Sequence, residues 1–320
     1  MQGVVVGLDL GHSAVKLAYK GKDGEIQKIL IPSVTAPATT ISDKAASERA
    51  MQDTVELDGN RMYVGETALH EGGARNAAGL HHRWIDTITY RALAKNALER
   101  VVRDVGRIDS VIVGLPPAIL RQRELAVRHL LSSMTDADVR VLPEPGGVSY
   151  KMSIDEDGNF IDDAPDTIGV MTIGRYTTDF LVLRGGRWVE KASVSSVGMS
   201  EAGEQLRKRL EDRDIQIDHM MADEALRSRS LTIYGKPVEI ESDTKSVLSY
   251  VASCIIDGAA GAFGDFEVYL EKIYVAGGGA EAMMPELEKI WPHLQLVDDP
   301  RFAVAEGFRR YGVARMSIKG

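Results

Sequence analysis

The sequence predicts an α/β fold made of two similar domains that face one another across a cleft. Three observations predict it: the length, an internal repeat about half the chain long, and strand patterns that alternate with helical ones. The chain has 320 residues, which suits two domains, and 44% of them are hydrophobic. This composition supplies enough apolar side chains for a core in each half.

The repeat is visible at three places that share one spacing of 163 residues. Asp9-Leu10-Gly11 aligns with Thr172-Ile173-Gly174, Lys16 with Asp179, and Val113 with Ala276. Each half reads as strand, turn, strand, strand, helix, strand, helix and strand. A repeat of this size indicates two copies of one structural unit.

In the first half, apolar runs predict a buried strand over 3–10 and a second strand over 14–21, joined by the turn Gly-His-Ser. Residues 29–80 are mixed, with a Thr/Ser/Ala-rich loop expected over 34–50 and a strand–Asp-Gly–strand hairpin after it. The remaining elements are a helix over 84–104, a strand over 110–116, a helix over 120–133, and a strand over 138–147 that runs into a Pro-rich turn before a short helix.

The second half follows an acidic stretch over 155–166, which is the expected crossing between the halves. A hairpin over 169–182 opens this half. The later elements are a third strand near 187–196, a helix from Ser200 to Leu210, a small insertion over 211–245, a helix over 244–262, a strand over 272–281 ending in three glycines, and a last helix over 303–315.

Charge and composition exclude several function classes. The net charge of −9 argues against a broad basic face for nucleic acid, which needs concentrated Lys and Arg. A single cysteine excludes an internal disulfide and a cysteine-based metal cluster, and it favours a reducing, cytoplasmic setting. No apolar run is expected to reach the roughly 20 residues of a membrane helix, and the start of the chain lacks a signal-peptide pattern.

The first hairpin offers what a nucleotide phosphate needs. The amides of Gly11, His12 and Ser13 can form an anion nest, with the Ser13 hydroxyl beside them. Lys16 can reach a phosphate, and Asp9 is suited to a hydrated Mg²⁺ rather than to phosphate itself. The alternative is a surface hairpin whose Asp accepts hydrogen bonds from turn amides. Taken alone, the loop favours that alternative.

The second hairpin contains the corresponding groups in register with the first. It supplies turn amides, hydroxyls and a carboxylate, from Gly174, Arg175, Tyr176, Thr177, Thr178 and Asp179. The alternative is a polar hairpin in which the two threonines cap the turn. Because two such loops occur at the same position of a repeat, a phosphate site is the favoured interpretation.

Two further motifs fit the same chemistry. Prolines on both sides of Glu144 fix its backbone, so its carboxylate can orient a water for in-line attack on a phosphate. The alternative is a solvated loop acid. Gly277, Gly278 and Gly279 follow a buried strand, and their bare backbone allows adenine or ribose to lie against it. The alternative is a flexible entry to a helix.

These motifs, in this order, resemble those of the actin/hexokinase/heat-shock-chaperone ATPase superfamily. The markers are "GLDLGHSAVK", "LPEPGG", "TIGRYTTD", "VAGGGAE" and "AVAEGF", which span the whole chain. Within the superfamily, "IPS", "YVGETAL" and "SVGMSEAGEQL" are similar to the ParM/StbA-type plasmid-segregation actins of bacteria and archaea.

The resemblance implies two actin-like, ribonuclease-H-like domains, each with a five-stranded mixed sheet and flanking helices. Domain I would cover 1–165 with an inserted subdomain at 29–80, domain II would cover 166–305 with an insertion at 211–245, and 306–320 would return to domain I.

The resemblance also implies a cytoplasmic ATPase that forms filaments with itself and moves plasmid DNA through a DNA-binding adaptor. Mg²⁺ and ATP, with GTP as an open possibility, would be clamped between the two hairpins. Asp9, Gly11, Ser13 and Lys16 would contact phosphate and metal, Glu144 would activate water, and the three glycines would line the nucleoside. Glu204 and Arg207 would touch ribose or base.

Thr172 departs from the family pattern, which has Asp at this position. Metal binding would then depend on Asp9, with Asp179 as a second carboxylate, and hydrolysis would be slow or would await assembly. Two alternatives stay open: a small-molecule kinase of the same superfamily and a nucleotide-responsive scaffold with weak turnover. A membrane-attached filament is disfavoured, because neither end of the sequence shows an amphipathic anchor. No direct binding of nucleic acid is expected.

Overall fold

A computed structural model of the protein describes residues 3–72, 83–162 and 164–319. Two compact units divide the chain. Unit one comprises Met1–Leu115, Ile119–Asp162 and Val304–Gly320, and unit two comprises Pro116–Ala118 and Asp163–Ala303. Residues 73–80 of the expected inserted subdomain lie outside the described residues.

The first half of the chain alternates strands and helices up to Ser153. Its strands are β1 (Val5–Leu10), β2 (Ala14–Lys20), β3 (Ile26–Pro32), β4 (Thr35–Pro37), β5 (Thr54–Leu57), β6 (Asn60–Val64), β7 (Ser110–Leu115) and β8 (Asp138–Pro143). Its helices are α1 (Lys44–Gln52), α2 (Gly65–Gly72), α3 (Ile88–Val105), α4 (Pro117–Ser132) and α5 (Glu144–Ser153).

The second half continues the same alternation. Its helices are α6 (Met199–Glu211), α7 (His219–Ser228), α8 (Glu241–Phe263), α9 (Ala280–Leu287) and α10 (Ala303–Lys319). Its strands are β9 (Thr167–Ile173), β10 (Thr177–Arg184), β11 (Arg187–Trp188), β12 (Ser195–Val197), β13 (Leu231–Ile233), β14 (Lys236–Val238), β15 (Lys272–Ala276) and β16 (Leu294–Leu296).

Unit one is built on a five-stranded mixed sheet in the order β3-β2-β1-β7-β8. β1 is antiparallel to β2 and parallel to β7. Every residue of β1 and β7 is buried, as their largely apolar sequences predict for central strands. The sheet therefore fixes the end of β1, where the first hairpin turns.

Within the 29–80 region, β4, β5 and β6 form a smaller three-stranded sheet in the order β4-β6-β5. Asp58 and Gly59 both have positive φ values, 52° and 76°, as expected for the turn of the Asp-Gly hairpin. The expected loop over 34–50 is wrong in part, because it contains β4 and most of α1. Asp43 caps α1 by accepting a hydrogen bond from the Ala46 amide at 2.7 Å.

Unit two repeats the sheet of unit one with the order β11-β10-β9-β15-β16. β12 also pairs with β10, which gives six strands instead of the expected five. The third strand expected near 187–196 is divided into β11 and β12 by a 3-10 turn at Glu190–Ala192. The two short strands pair with different parts of β10, so the unit keeps the topology of unit one.

The repeat is confirmed in the strand register. Asp9 lies opposite Lys16, and Thr172 lies opposite Asp179, at the spacing of 163 residues. The parallel neighbour is shifted by one residue, since Leu8 pairs with Val113 whereas Met171 pairs with Val275. The sequence alignment of Val113 with Ala276 was therefore one position too long.

The 211–245 region contains α7, the hairpin of β13 and β14, and the first residues of α8. Among the described residues, one helical segment, Glu241–Tyr269, is long and apolar enough to cross a membrane, contrary to the expectation from the sequence. The buried face of α8, which includes Val247, Val251 and Ile255, packs into the core of unit two.

Helix α10 lies directly on the backbone of β1 and α5. A Cβ at Gly7 would lie 1.8 Å from the carbonyl oxygen of Ala305, and a Cβ at Gly147 would lie 2.5 Å from that of Val304. A Cβ at Gly307 would in turn lie 1.7 Å from the carbonyl oxygen of Gly147. These contacts require glycine and fix α5, which begins at Glu144.

Candidate functional site

The first hairpin places a charged pair at its tip. Asp9 and Lys16 face each other across β1 and β2, and Lys16 Nζ lies 3.0 Å from Asp9 Oδ2. Both side chains are largely buried, so their attraction is only weakly screened by water. A Cβ at Gly11 would lie 3.1 Å from Lys16 Nζ, so glycine here leaves room for the pair.

The turn of this hairpin is held by residues to which the sequence analysis gave no role in the site. Ser33 Oγ donates a hydrogen bond to the Gly11 carbonyl at 2.5 Å. Trp84 Nε1 donates to the Leu10 carbonyl at 3.0 Å, and its ring stacks on His12 at 4.8 Å between centroids. These contacts orient the turn while Ser13 stays exposed.

Glu144 is the first residue of α5 and follows Pro143, whose ψ of 133° is extended. The expected Pro-rich turn is therefore a helix start. A carboxylate in the first turn is stabilised by the helix dipole. A Cβ at Gly114 would lie 2.6 Å from Glu144 Cγ, so the glycine in β7 creates the space that Glu144 occupies.

Tyr90 is a buried residue of unit one that lies beside Trp84, which holds the turn of the first hairpin. Its ring meets Trp84 edge to face at 5.7 Å, and within the described chain its buried hydroxyl has no hydrogen-bond partner. Burial raises the pKa of Tyr90, and the charges of Glu144 and Asp9 raise it further. Asp9 and Glu144 both belong to unit one.

The second hairpin has the same strand register as the first, but its polar side chains form different hydrogen bonds. Thr172 Oγ1 donates to the Asp179 carbonyl at 3.3 Å. The Asp179 carboxylate is 2% exposed and accepts hydrogen bonds from Ser195 Oγ and, at 3.0 Å, from Thr177 Oγ1. Both carboxylate oxygens are thus used inside unit two, although the sequence suggested a metal ligand.

The two threonines of this hairpin differ. Thr178 is fully buried, and its hydroxyl donates to the Val197 carbonyl at 2.7 Å. Thr177 is half-buried at the turn, and its hydroxyl is oriented by Asp179. Of the two predicted hydroxyls, only that of Thr177 lies partly open to a ligand.

The turn carbonyls of the second hairpin bond to the start of α6. Met199 N donates to the Gly174 carbonyl at 3.0 Å, and Ser200 N donates to the Arg175 carbonyl at 2.6 Å. The Arg175 side chain pairs with Asp223 of α7 at 3.2 Å and lies over the Tyr176 ring. Burial raises the pKa of Asp223, and the charge of Arg175 lowers it in part.

The three glycines lie against the same hairpin. Gly277 has φ of 96°, and a Cβ there would lie 2.4 Å from the Ile173 carbonyl oxygen. A Cβ at Gly279 would lie 2.5 Å from Met199 Cγ. Gly278 has no atom within 4 Å of its Cβ position. Gly277 and Gly279 are therefore required by packing, and Gly278 is the one open to a flat ligand.

Glu204 and Arg207 form an ion pair on α6 at 2.8 Å. Arg207 Nε also donates to the Ile217 carbonyl at 3.0 Å, just before α7. His219 lies near both, with Nδ1 3.9 Å from Glu204 Oε2. The pair thus links α6 to α7 and remains partly exposed.

Among the described residues, no group of three or more His, Cys, Asp or Glu side chains could hold a metal ion by itself. Magnesium commonly binds through one or two carboxylates together with water and substrate phosphate. Asp9 fits that requirement because it is a single carboxylate at a strand end, and its charge is paired with that of Lys16. Asp179 fits it less well, since its oxygens accept hydrogen bonds from Ser195 and Thr177.

Two protein-family models match the chain. The model described as the N-terminal domain of actin-like proteins matches residues 7–147. The model described as the C-terminal domain of the MreB-like archaeal actin homologue matches residues 170–289. Together they span most of the chain. No curated protein matches it by sequence.

Solved structures share the fold over nearly the whole length. A Clostridium botulinum ParM, solved as a 15-stranded filament, has a TM-score of 0.80 with 18% identity and covers 98% of this chain and 99% of its own. An archaeal actin homologue in complex with ADP has a TM-score of 0.75 with 19% identity, and the match covers 99% of this chain and 100% of the homologue. Bacillus thuringiensis ParM with ATP has a TM-score of 0.64 with 13% identity, and the match covers 100% of both chains.

Proposed function

Because the chain belongs to the actin-like protein family, we propose that it is a cytoplasmic ATPase that assembles into nucleotide-dependent filaments. We further propose that these filaments position plasmid DNA through a DNA-binding adaptor. The ATPase proposal rests mainly on the pair of hairpins in equal register, one with the Asp9–Lys16 pair, and on Glu144 in the same unit as that pair.

We assign the residues as follows. The amides of Gly11, His12 and Ser13 and the Lys16 ammonium bind phosphate oxygens, and Asp9 holds the hydration shell of Mg²⁺. The metal neutralises phosphate charge when it is bound. Glu144 accepts a hydrogen bond from the attacking water and orients it, because its helix start and Gly114 fix its position.

In unit two, the turn Gly174–Tyr176 and the Thr177 hydroxyl are proposed to contact phosphate, with Asp179 as the residue that orients Thr177. Gly278 is proposed to face the nucleoside. Glu204 and Arg207 are proposed to contact the ribose. Support comes from the relatives: an archaeal actin homologue was solved with ADP and a Bacillus thuringiensis ParM with ATP.

Hydrolysis is tested with Glu144→Ala. We expect turnover to fall by about 10²-fold or more, because the water loses its general base, while ATP affinity stays within about threefold. Glu25→Ala, at an exposed turn of the same unit, is the matched control and should leave both unchanged. Equal turnover in the Glu144→Ala variant and the parent protein would remove Glu144 from the mechanism.

Assembly is tested by light scattering and electron microscopy with ATP, ADP and no nucleotide, in the presence of magnesium. The 29–80 and 211–245 regions are the proposed contact surfaces. Tyr234, at the tip of the β13–β14 hairpin, is 99% exposed, which suits an anchor in a subunit contact. Tyr234→Ser should raise the protein concentration needed for assembly and leave ATP affinity unchanged. No scattering at high protein concentration with ATP would count against a filament protein.

A nucleotide-responsive scaffold with weak turnover is the second candidate. Thr172 favours it, because this position supplies no charge and the nearby Asp179 carboxylate is already hydrogen-bonded. If it holds, Glu144→Ala changes nothing, and the parent protein binds ATP without measurable phosphate release. Parallel assays with GTP establish the base preference of the site.

A further inference from the structure

The tip of the β13–β14 hairpin in unit two exposes an aromatic side chain on a backbone that does not favour it. Ile233 pairs with Lys236, so Tyr234 and Gly235 form the whole turn, and both have positive φ values, 49° and 74°. Turns of this kind favour Asn or Gly at the first position, because other side chains are strained there. Tyr234 occupies it nonetheless and is 99% exposed. Folding of the hairpin does not explain this tyrosine, whereas a contact with another molecule would.

A second exposed apolar surface of unit two is formed by Val268, Tyr269 and Ile290, and we name it the 3-10 patch. Val268 and Tyr269 are the last residues of a 3-10 helix and are 85% and 61% exposed, and Ile290 is 50% exposed. Trp291 Nε1 donates to Glu267 Oε1 at 2.6 Å, which holds the segment of Ile290 beside the 3-10 helix. Neighbouring exposed apolar side chains of this size mark a contact surface.

Helix α8 separates the hairpin from the 3-10 patch. β14 ends at Val238, and α8 begins at Glu241; the 3-10 helix begins at Gly264, directly after α8 ends. A helix of 23 residues is about 35 Å long. The root of the hairpin and the 3-10 helix therefore lie at opposite ends of one helix. Because Tyr234 is 99% exposed, it does not pack on the 3-10 patch of its own chain.

The charges beside the two surfaces are opposite in sign. Residues 228–238 of the hairpin include two basic residues and no acidic one, and residues 264–271 include three acidic residues and no basic one. Arg229 and Lys236 on the hairpin and Asp265 beside the 3-10 patch are exposed. None of these three makes an ion pair with any residue that the structure describes. Opposite charges of this kind guide two surfaces together and fix their orientation.

We propose that the hairpin tip of one subunit docks on the 3-10 patch of a second copy of this chain. Tyr234 packs on Val268 and Tyr269, and Lys236 approaches Asp265. The contact is head to tail, so each subunit offers its hairpin to one neighbour and its 3-10 patch to the other, and the contact repeats along a filament. This inference rests on the assembly part of the proposed function and adds the surface that receives Tyr234.

The first test is assembly of the full-length protein with ATP and magnesium, measured by light scattering and sedimentation. Tyr234→Asn suits the turn better than tyrosine, so the free energy of unfolding should stay the same or rise. The protein concentration needed for assembly should nevertheless rise about tenfold or more, because the aromatic anchor is lost. Val268→Ser should raise that concentration about threefold or more. Leu125→Ser, at a 63% exposed position of α4 in unit one, is the matched control and should not change it.

The second test exchanges the charges. Lys236→Glu and Asp265→Lys should each raise the concentration needed for assembly about threefold, because like charges then face each other across the contact. The double variant with both changes should recover most of that loss, since it restores one positive and one negative charge in reversed positions. A general disturbance of the fold would not be reversed by the second change.

The third test joins the two surfaces by a disulfide. In a Cys254→Ser background, which removes the single cysteine of the sequence, a protein with both Tyr234→Cys and Val268→Cys should form a ladder of linked oligomers on oxidation. A mixture of the two single variants should stop at dimers. Each single variant alone should stay monomeric, because a head-to-tail contact never brings two copies of one position together.

The contact is overturned if the parent protein assembles and both Tyr234→Asn and Val268→Ser assemble at the same concentration as the parent, since the two surfaces would then serve another partner. Linked dimers of Tyr234→Cys alone would show a symmetric contact and would also overturn it. If the parent protein does not assemble at all, the filament proposal fails together with this one. The two failures are therefore distinguishable, and ATP hydrolysis is measured independently of both.

Discussion

The two hairpins have the same strand register, but their carboxylates lie on different strands and have different partners. In unit one, Asp9 on the first strand pairs with Lys16 on the second, and both ends of the pair are charged. In unit two, the carboxylate is on the second strand, where Asp179 is held by neutral hydroxyls from Ser195 and Thr177. A repeated fold thus preserves the turn and leaves the chemistry of each copy free to change.

The same contrast extends to the cores beneath the hairpins. Unit one surrounds the buried Glu306 with three cations and seats α10 directly on glycine backbone. Unit two packs its sheet against α8 through apolar side chains such as Phe180 and Phe263. The core of unit one should therefore be sensitive to charge and to atoms added beneath α10. The apolar core of unit two should tolerate added atoms better, except at its turn glycines such as Gly277.

The largest expected effect is that of Gly7→Ala. The added Cβ would lie 1.8 Å from the Ala305 carbonyl oxygen, and a backbone atom cannot move aside cheaply. We expect a loss of about 3 kcal/mol or more in the free energy of unfolding, measured by urea titration. Gly169→Ala in β9 is the control, since its Cβ would meet only side-chain atoms, at 3.1 Å or more. An equal loss of stability in Gly7→Ala and Gly169→Ala would mean that β1 and β9 do not differ in their tolerance of an added Cβ.

The next effect concerns acid stability. Burial alone would raise the pKa of Glu306, but the hydrogen bond from Lys28 and the charges of Lys151 and Arg310 outweigh it, so the pKa is about 2. A lowered pKa stabilises the fold above about pH 4.5, and this contribution, about 3 kcal/mol, is lost as the pH falls toward 2.

Glu306→Gln should therefore lower stability at pH 7 and flatten the decrease in the free energy of unfolding between pH 4.5 and 2. Glu25→Gln, at an exposed turn, is the matched control and should change neither. An unchanged pH profile in Glu306→Gln would show that the buried carboxylate does not stabilise unit one.

The third prediction compares the two carboxylates of the hairpins directly. Asp9→Asn should lower ATP turnover about 10²-fold and raise the magnesium concentration needed for half-maximal turnover. Asp179→Asn should leave that concentration unchanged and cost about 1–2 kcal/mol of stability, since it disturbs the bonds to Ser195 and Thr177. A similar magnesium shift in both variants would make Asp179 a metal ligand after all.

The sequence was sufficient for the hairpins, the repeat and the fold, because apolar periodicity and turn glycines are local signals. It did not reveal that Ser195 engages Asp179, since β12 joins β10 from 16 residues away. It also missed Gly114 beneath Glu144 and Trp84 beside His12. These contacts form only when distant segments pack, so no local pattern reports them.

The smallest effect is expected for Thr172→Asp, which restores the carboxylate typical of the family. Thr172 lies opposite Asp179 in the register, so a second carboxylate there would repel it and destabilise the protein slightly without nucleotide. With magnesium and ATP bound, the added charge should help to hold the metal, and hydrolysis should rise by about three- to tenfold. ATP affinity should change less than the hydrolysis rate.

Thr172→Asn is the control for this change, because it has nearly the same shape as aspartate and no charge. It should hydrolyse ATP at the rate of the parent protein. If Thr172→Asp also hydrolyses at that rate, the missing carboxylate does not limit turnover, and the difference between the hairpins lies elsewhere. The hydrogen bonds from Ser195 and Thr177 to Asp179 would then be the feature to vary, since the first hairpin has a charged pair in their place.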